Sequence, residues 1–441
     1  MKNRTPAFWF LILALLSLFI SALGGVLASL QYIYPHLWKS TLHFAKIRPI
    51  HVVSSVSWVV LAAIGSIVFF LIEEKIKLFS IRLVKAHFYI FLFSGLAIYF
   101  SIITGQIGGR EFFVFAPIIM VGILLGWVLF AFNYFKSMTK NTRNWPVYYW
   151  MWGTGIIFMI FHLMEAHFWM LPYFRENFIK DFVIQWKSVG SFVGSWNQMV
   201  YGISIYLMAK IKGDPSFAKG KLVFFFYFLG LTNLMFGWAH HTYIIPTQPW
   251  VRIVAYIISM TEWIILIKII YDFVKGISKE KKKEHLLAYK FLIAADVWVF
   301  LNLIIALLIS IPAINYHTHG THITVSHTMG TMIGINTMIL LASIGYIISK
   351  IQPIFKYNTL IKVAYQILNY SLLFFLTTLV IAGIRRSKWM YTKAASFSEM
   401  QEGLSGVYQV MTFTGFGVFV GLVLILIPAI GVLYTQNKDY H

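Results

Sequence analysis

The densest group of chemically capable residues is Asn315-Tyr-His-Thr-His-Gly-Thr-His-Ile-Thr-Val-Ser-His-Thr-Met329, a polar turn that runs straight into a long apolar stretch. Here His327 and Met329 stand two residues apart, so on a helix their side chains point about 200° from each other. One metal cannot take both. A helix sandwiched between two cofactors can offer one to each side, and imidazole and thioether are both good axial ligands for heme iron. A methionine alone would be read as core filler, so Met329 draws its weight from position. Adjacent His240 and His241 close another apolar run, Gly237-Trp-Ala-His-His-Thr-Tyr-Ile-Ile-Pro246. Two buried imidazoles would each need a partner, and metal ligation explains them better than packing. Glu262 and Asp296 place carboxyls inside apolar stretches, where ionisable groups mark proton paths or metal sites.

Weaker candidates flank these. His51 follows Arg48-Pro49-Ile50 at the mouth of an apolar run and reads either as an interfacial polar residue or as a ligand. Glu111, in Thr104-Gly-Gln-Ile-Gly-Gly-Arg-Glu-Phe112, is ordinary turn chemistry or a hard oxygen ligand for calcium. His162 and Glu165 share a helix face, with His167 about 140° round from His162; they read either as hydrogen-bonding partners of neighbouring helices or, for His162 or His167, as a substitute metal ligand if this span turns inward. Between His167 and His240 there is no histidine.

The elements that must hold these residues are membrane helices. Of 441 residues 59% are hydrophobic and 12% charged, with a mean hydropathy of +0.75, which excludes a soluble domain of this size. Apolar runs of about 20 residues give an all-α, polytopic fold of twelve spans, roughly 8–33, 51–72, 86–105, 113–135, 147–171, 184–209, 221–245, 251–274, 288–312, 321–348, 362–384 and 407–434. Residues 1–441 form one membrane-embedded domain, and the first span reads as a retained helix rather than a signal peptide. The net charge of +21 sits in short loops, among them Glu73-Glu-Lys-Ile-Lys77 and Lys279-Glu-Lys-Lys-Lys283. It therefore reports topology, with both termini cytoplasmic, rather than nucleic-acid binding. With no cysteine, disulfides, Fe–S clusters and a covalently attached heme are excluded, so electrons must arrive from a separate protein.

This topology puts His51, His240, His241, His327 and Met329 at one depth in the outer half of the bilayer, with Glu111, His317 and His319 just above. Two hemes and a non-heme metal stacked near the outer face account for that convergence. A transporter would line a path across instead. The outer loop carrying Arg385, Arg386, Lys388 and Lys393 breaks the charge rule; Arg385 and Arg386 could neutralise heme propionates there.

Twelve spans, His240-His241 on the seventh and a histidine-bearing tenth resemble the catalytic subunit of the heme–copper oxidase superfamily, and within it the large subunit of bacterial nitric oxide reductase. Gly109-Arg-Glu-Phe112 is similar to that group's calcium-loop motif, and Asn315-Tyr-His-Thr-His-Gly-Thr321 leading to Thr324 and His327 to its helix-ten signature. The resemblance implies His51 as an axial ligand of a low-spin heme b, His327 as the proximal ligand of a high-spin heme b, and His240 and His241 as ligands of a non-heme iron or copper. It implies Glu262 as a buried acid near that metal and Glu111 as a calcium ligand; His319, Arg385 and Arg386 are expected on the cofactor side from their place at the outer rim. The bacterial inner membrane and an outer cytochrome c partner follow from it too. Two departures stand out. Met329 occupies the place of the second low-spin histidine, and the sixth span lacks the third metal histidine. A smaller one is Val114, in place of a second glutamate.

The expected activity is reduction of a small gas, nitric oxide or oxygen, at the high-spin heme and its neighbouring metal. The alternative is a non-catalytic heme protein, serving electron transfer, gas sensing or assembly, that has lost the second metal.

Overall fold

In hydrocarbon each backbone N–H and C=O must find a partner within its own segment, so apolar runs of membrane length fold as helices. The computed structural model describes residues 5–138, 140–352 and 357–438. Its long helices are α1 (Thr5–Ile33), α2 (Phe44–Glu73), α3 (Ile81–Ile103), α4 (Met120–Ser137), α5 (Val147–Glu165), α6 (Phe178–Lys212), α7 (Lys221–Phe236), α8 (Pro249–Gly276), α9 (Leu286–Ser310), α10 (His322–Ile351), α11 (Thr359–Thr392) and α12 (Ser405–Lys438). They match the twelve expected spans in order. Eleven are long and apolar enough to cross a bilayer. The remaining one, α6, is longer but interrupted by Lys187, Ser188, Ser191, Ser195, Asn197 and Gln198; it packs against α5 along its length.

Burial separates centre from rim. The most apolar windows of α2 and α10 are 78% and 83% buried, whereas that of α8 is 24% buried, so α2 and α10 run through the middle of the bundle. Trp58, Phe69 and Phe70 of α2 and Met338, Leu340 and Ile347 of α10 are shut off from solvent or nearly so. α1 lies along α2 and α12, α11 along α12, and α9 along α10.

Two local features depart from the expectation. The Gly-Gly-Arg-Glu stretch is part of a hairpin with Glu111 and Phe112 at its tip, in which β1 (Ile107–Arg110) pairs antiparallel with β2 (Phe113–Phe115), Arg110 opposite Phe113. Phe112 takes a left-handed φ of 70° at the tip, and a Cβ on Gly109 would lie 1.7 Å from the Phe113 carbonyl oxygen, so only glycine allows the strands to close. α10 is not a uniform α-helix: His322–Met329 is α-helical, Gly330–Thr337 is π-helical and Met338–Ile351 is α-helical again. The Thr331 and Thr337 hydroxyls bond the carbonyls of His327 and Met332 within this stretch, at 3.1 and 2.8 Å.

Candidate heme and metal site

His51 lies two turns inside α2 rather than at its mouth, because the helix starts at Phe44 and runs on through Pro49. The Nδ1–H of His51 donates to the Ser21 carbonyl of α1 at 2.7 Å, which leaves the lone pair on Nε2, the tautomer that a metal ligand needs. α1 approaches this closely because Gly24 faces the His51 Cβ and backbone and Gly25 the imidazole; a Cβ on Gly25 would sit 3.2 Å from its Cε1 and Nδ1.

His327 is held from two sides. The preceding Ser326 donates to the Leu376 carbonyl of α11 at 3.1 Å. On the other side Asn302 of α9 donates to the Thr331 hydroxyl at 2.8 Å. Gly330 lets α9 come close, since a Cβ there would lie 2.5 Å from the Asn302 oxygen. His327 Nδ1 is buried without a partner. Met329 is half-buried against the core. His322, seven residues before it and so on nearly the same helix face, lies against Tyr32 of α1 and Tyr408 of α12. Met329 is thereby turned toward α1, the helix that also backs His51, and His327 the other way.

On that other side stand the paired histidines. α7 ends at Phe236, and His240 and His241 sit on a tighter 3-10 segment, Gly237–Thr242. The expected helix to residue 245 is not continuous. The segment and the end of α7 are pressed against α6 at two glycines, where a Cβ on Gly190 would be 2.6 Å from Trp238 of the segment and one on Gly194 2.9 Å from Leu234 of α7. The two imidazoles are 4.3 Å apart, centre to centre, and His240 Nδ1 is buried and unpartnered. His319 and His327 both lie close enough to act electrostatically on His240. Trp186 of α6 stacks flat on His241, with centroids 5.0 Å apart and planes 11° apart, and meets His319 edge-on at 6.1 Å. Burial holds the His319 imidazole below the usual histidine range, offset in part by a hydrogen bond with the backbone of His241.

The remaining candidates spread around this centre. Glu111, at the hairpin tip, is ion-paired with Arg48, three residues before His51, and its carbonyl accepts from Gln185 at 3.2 Å. Arg110 bridges to Asp181 of α6 at 2.9 Å. Arg385 donates to the Gly403 carbonyl at 3.4 Å. Arg386 Nε is buried without a partner, and its charge is felt by Tyr32, His322 and Tyr408. His317 packs on Tyr391 at 4.3 Å. Glu262 is on α8, but its side chain lies outside the described residues. His162 bonds Glu165 at 3.0 Å, and Glu165 is paired with Lys187 of α6; these carry the helix-to-helix role expected of them.

For hemes the residues present fit: an imidazole with its tautomer fixed at His51, an unpartnered imidazole at His327, a thioether on the opposite face, and an unpartnered guanidinium nitrogen at Arg386 for a carboxylate. For a second metal the fit is partial. His240 and His241 supply two donors, and among the described residues no three histidine, cysteine or acidic side chains converge. Trp186, His322, Gly24 and Gly25 were not singled out by sequence. His322 stood inside the signature stretch as a visible clue, while a tryptophan on α6 carries no such signal.

The family described as cytochrome c and quinol oxidase polypeptide I matches residues 5–417. The chain belongs to that heme–copper oxidase family. Among curated proteins this heme–copper oxidase homologue is 21% identical, over 381 residues, to a nitric oxide reductase subunit of Stutzerimonas stutzeri, covering 80% of this chain and 76% of that protein. Among solved structures it superposes on a heme-copper terminal oxidase, seen as a dimer by cryo-EM, with a TM-score of 0.76 and 14% identity, over 98% of this chain and 84% of that one. The fold is thus that of a multi-pass membrane oxidase, and membership indicates an oxidoreductase.

Proposed function

We propose that this heme–copper oxidase homologue reduces a small gas, nitric oxide in the first instance, with electrons from a cytochrome c partner at the outer face of a bacterial inner membrane, both termini being cytoplasmic. The observation that carries the reading is the two-sided α10, with Met329 turned toward α1 and His327 toward His240, His241 and His319. Hemes bound on either side would supply one-electron transfer and gas-ligand binding. His51 and Met329 would hold a low-spin heme b, and His327 a high-spin heme b. Arg386, with its buried free nitrogen, would meet a propionate, and Arg385 and His319 lie on the same outer rim. Glu111 reaches the outer end of α2 through Arg48, where a calcium ion would have to compete with that ion pair. His240 and His241 close the gas-binding side and would hold a non-heme iron or copper, with Glu262 the carboxyl available to move protons near it.

The partial donor set favours a second reading, a heme protein that has lost the second metal and works in electron transfer, sensing or assembly. One preparation separates the two. Metal analysis of the purified chain is expected to give one non-heme iron or copper per two hemes, with consumption of nitric oxide on reduction. Two hemes with no further metal and no consumption of nitric oxide or oxygen overturns the enzymatic reading.

A further inference from the structure

Asp296 has no part in the reading above. It stands in the middle of α9, ten residues past Leu286, about 15 Å along the helix. It is 6% exposed, and its Oδ2 has no hydrogen-bond partner. An unpaired carboxyl at such a depth is costly, and where one is found it is tied to function. It borders a cavity of about 30 Å³ between α6, α8, α9 and α10, with Ser204 and Tyr201 the other polar groups in the wall. That is room for one or two waters.

The cavity has a neighbour. Ile269 of α8 lines it and also lines a cleft of about 400 Å³, bordered by Lys212, Asp214, Asp272 and Lys275. The cleft lies at the ends of α6 and α8 that carry the basic, inward-facing loops. Polar groups recur further out on the same helix. Asn302, six residues beyond Asp296 and about 9 Å further along α9, has an unpartnered Oδ1 and donates through Nδ2 to Thr331, whose hydroxyl bonds the His327 carbonyl.

We propose that Asp296 is a proton relay, taking protons from the inward cleft and passing them toward the His327 side of α10. The carboxylate accepts a proton from cavity water, which regains one from the cleft, and releases it outward to be consumed by the gas being reduced; carboxylate and water return to their starting forms, so each cycle moves one proton. The proposal rests on the reductive reading, because reducing a bound gas consumes protons.

The test uses the full chain with its hemes in sealed vesicles, with a pH dye placed on one side or the other and the hemes reduced rapidly. Wild type is expected to draw protons from the side of the basic loops. Asp296→Asn should slow that uptake at least tenfold with an unchanged Soret spectrum, and Asp296→Glu should restore it. Uptake by Asp296→Asn at the wild-type rate, or wild-type uptake from the opposite side, overturns the relay. Should Asp296→Asn lose its hemes, Ile269→Phe, which narrows the passage while leaving the carboxyl in place, decides by the same rate. Gas consumption is followed in parallel. Its absence together with normal inward-side uptake sinks the reductase reading and leaves the relay standing, whereas gas reduction without Asp296-dependent uptake sinks the relay alone.

Discussion

On the proposed ligation, Met329 would set the electronic character of the low-spin heme. A thioether favours the reduced state of iron relative to imidazole, so a heme held by His51 and Met329 would sit at a higher potential than one held by two histidines. Met329→His is expected to shift the low-spin absorption bands and lower that heme's potential by on the order of 0.1 V, within the range that axial ligands span. Redox titration followed by absorbance measures both, and an unchanged spectrum would remove Met329 from the ligand set. His51 brings its own geometry to this exchange. Its ring is pinned by the Ser21 carbonyl and by Gly25, so on this ligation a new imidazole at 329 would meet a partner that is already oriented.

At the scale of elements, α6 and the 3-10 segment Gly237–Thr242 work as a pair. Gly190→Val would push a side chain into Trp238, where even a bare Cβ would come within 2.6 Å, and overpacking of this kind costs about 1–3 kcal/mol. Because the displaced segment carries His240 and His241, the expected result is loss of non-heme metal with the Soret band of both hemes kept; metal-to-heme ratios check it, and a full metal complement in the variant would refute the coupling. The same elements mark the limit of what sequence discloses. Twelve spans were legible because hydrocarbon imposes one length and one composition, and His327 with Met329 because a helix spaces them by a known angle. The early end of α7, the hairpin at Glu111 and the stacking of Trp186 on His241 were not legible. Each depends on contacts between segments far apart in the chain, which leave no periodic trace in either one.

For the molecule as a whole, proton uptake on unfolding can be read at the end of the bundle that carries the basic loops. His285, just before α9, stacks on Tyr346 at 5.6 Å. Burial holds its imidazole below the ordinary value of 6.5; Glu284 and Glu73 oppose that shift, while Lys350 and Lys281 reinforce it. His319, in the turn before α10, is lowered in the same direction. A histidine depressed in the fold adds stability above its unfolded value that is lost as pH falls, because below about 6.5 the unfolded chain takes up a proton that the folded one refuses. Melting temperature in detergent is expected to fall between pH 7.5 and 5.5, and to fall less in His285→Phe, which keeps a ring against Tyr346 and cannot titrate. Parallel curves for the two proteins would exclude His285 as a source of the dependence.

The π-helical stretch of α10 also divides the helix mechanically. Eight residues, Gly330–Thr337, separate the half that carries His327 and Met329 from a half whose side chains are almost wholly enclosed by the bundle. Single π-helical turns occur frequently at functional sites, and this one begins directly after Met329. A change of side chain at 329 therefore falls outside the enclosed half, and Met329→His is expected to leave the packing around Met338, Leu340 and Ile347 as it is.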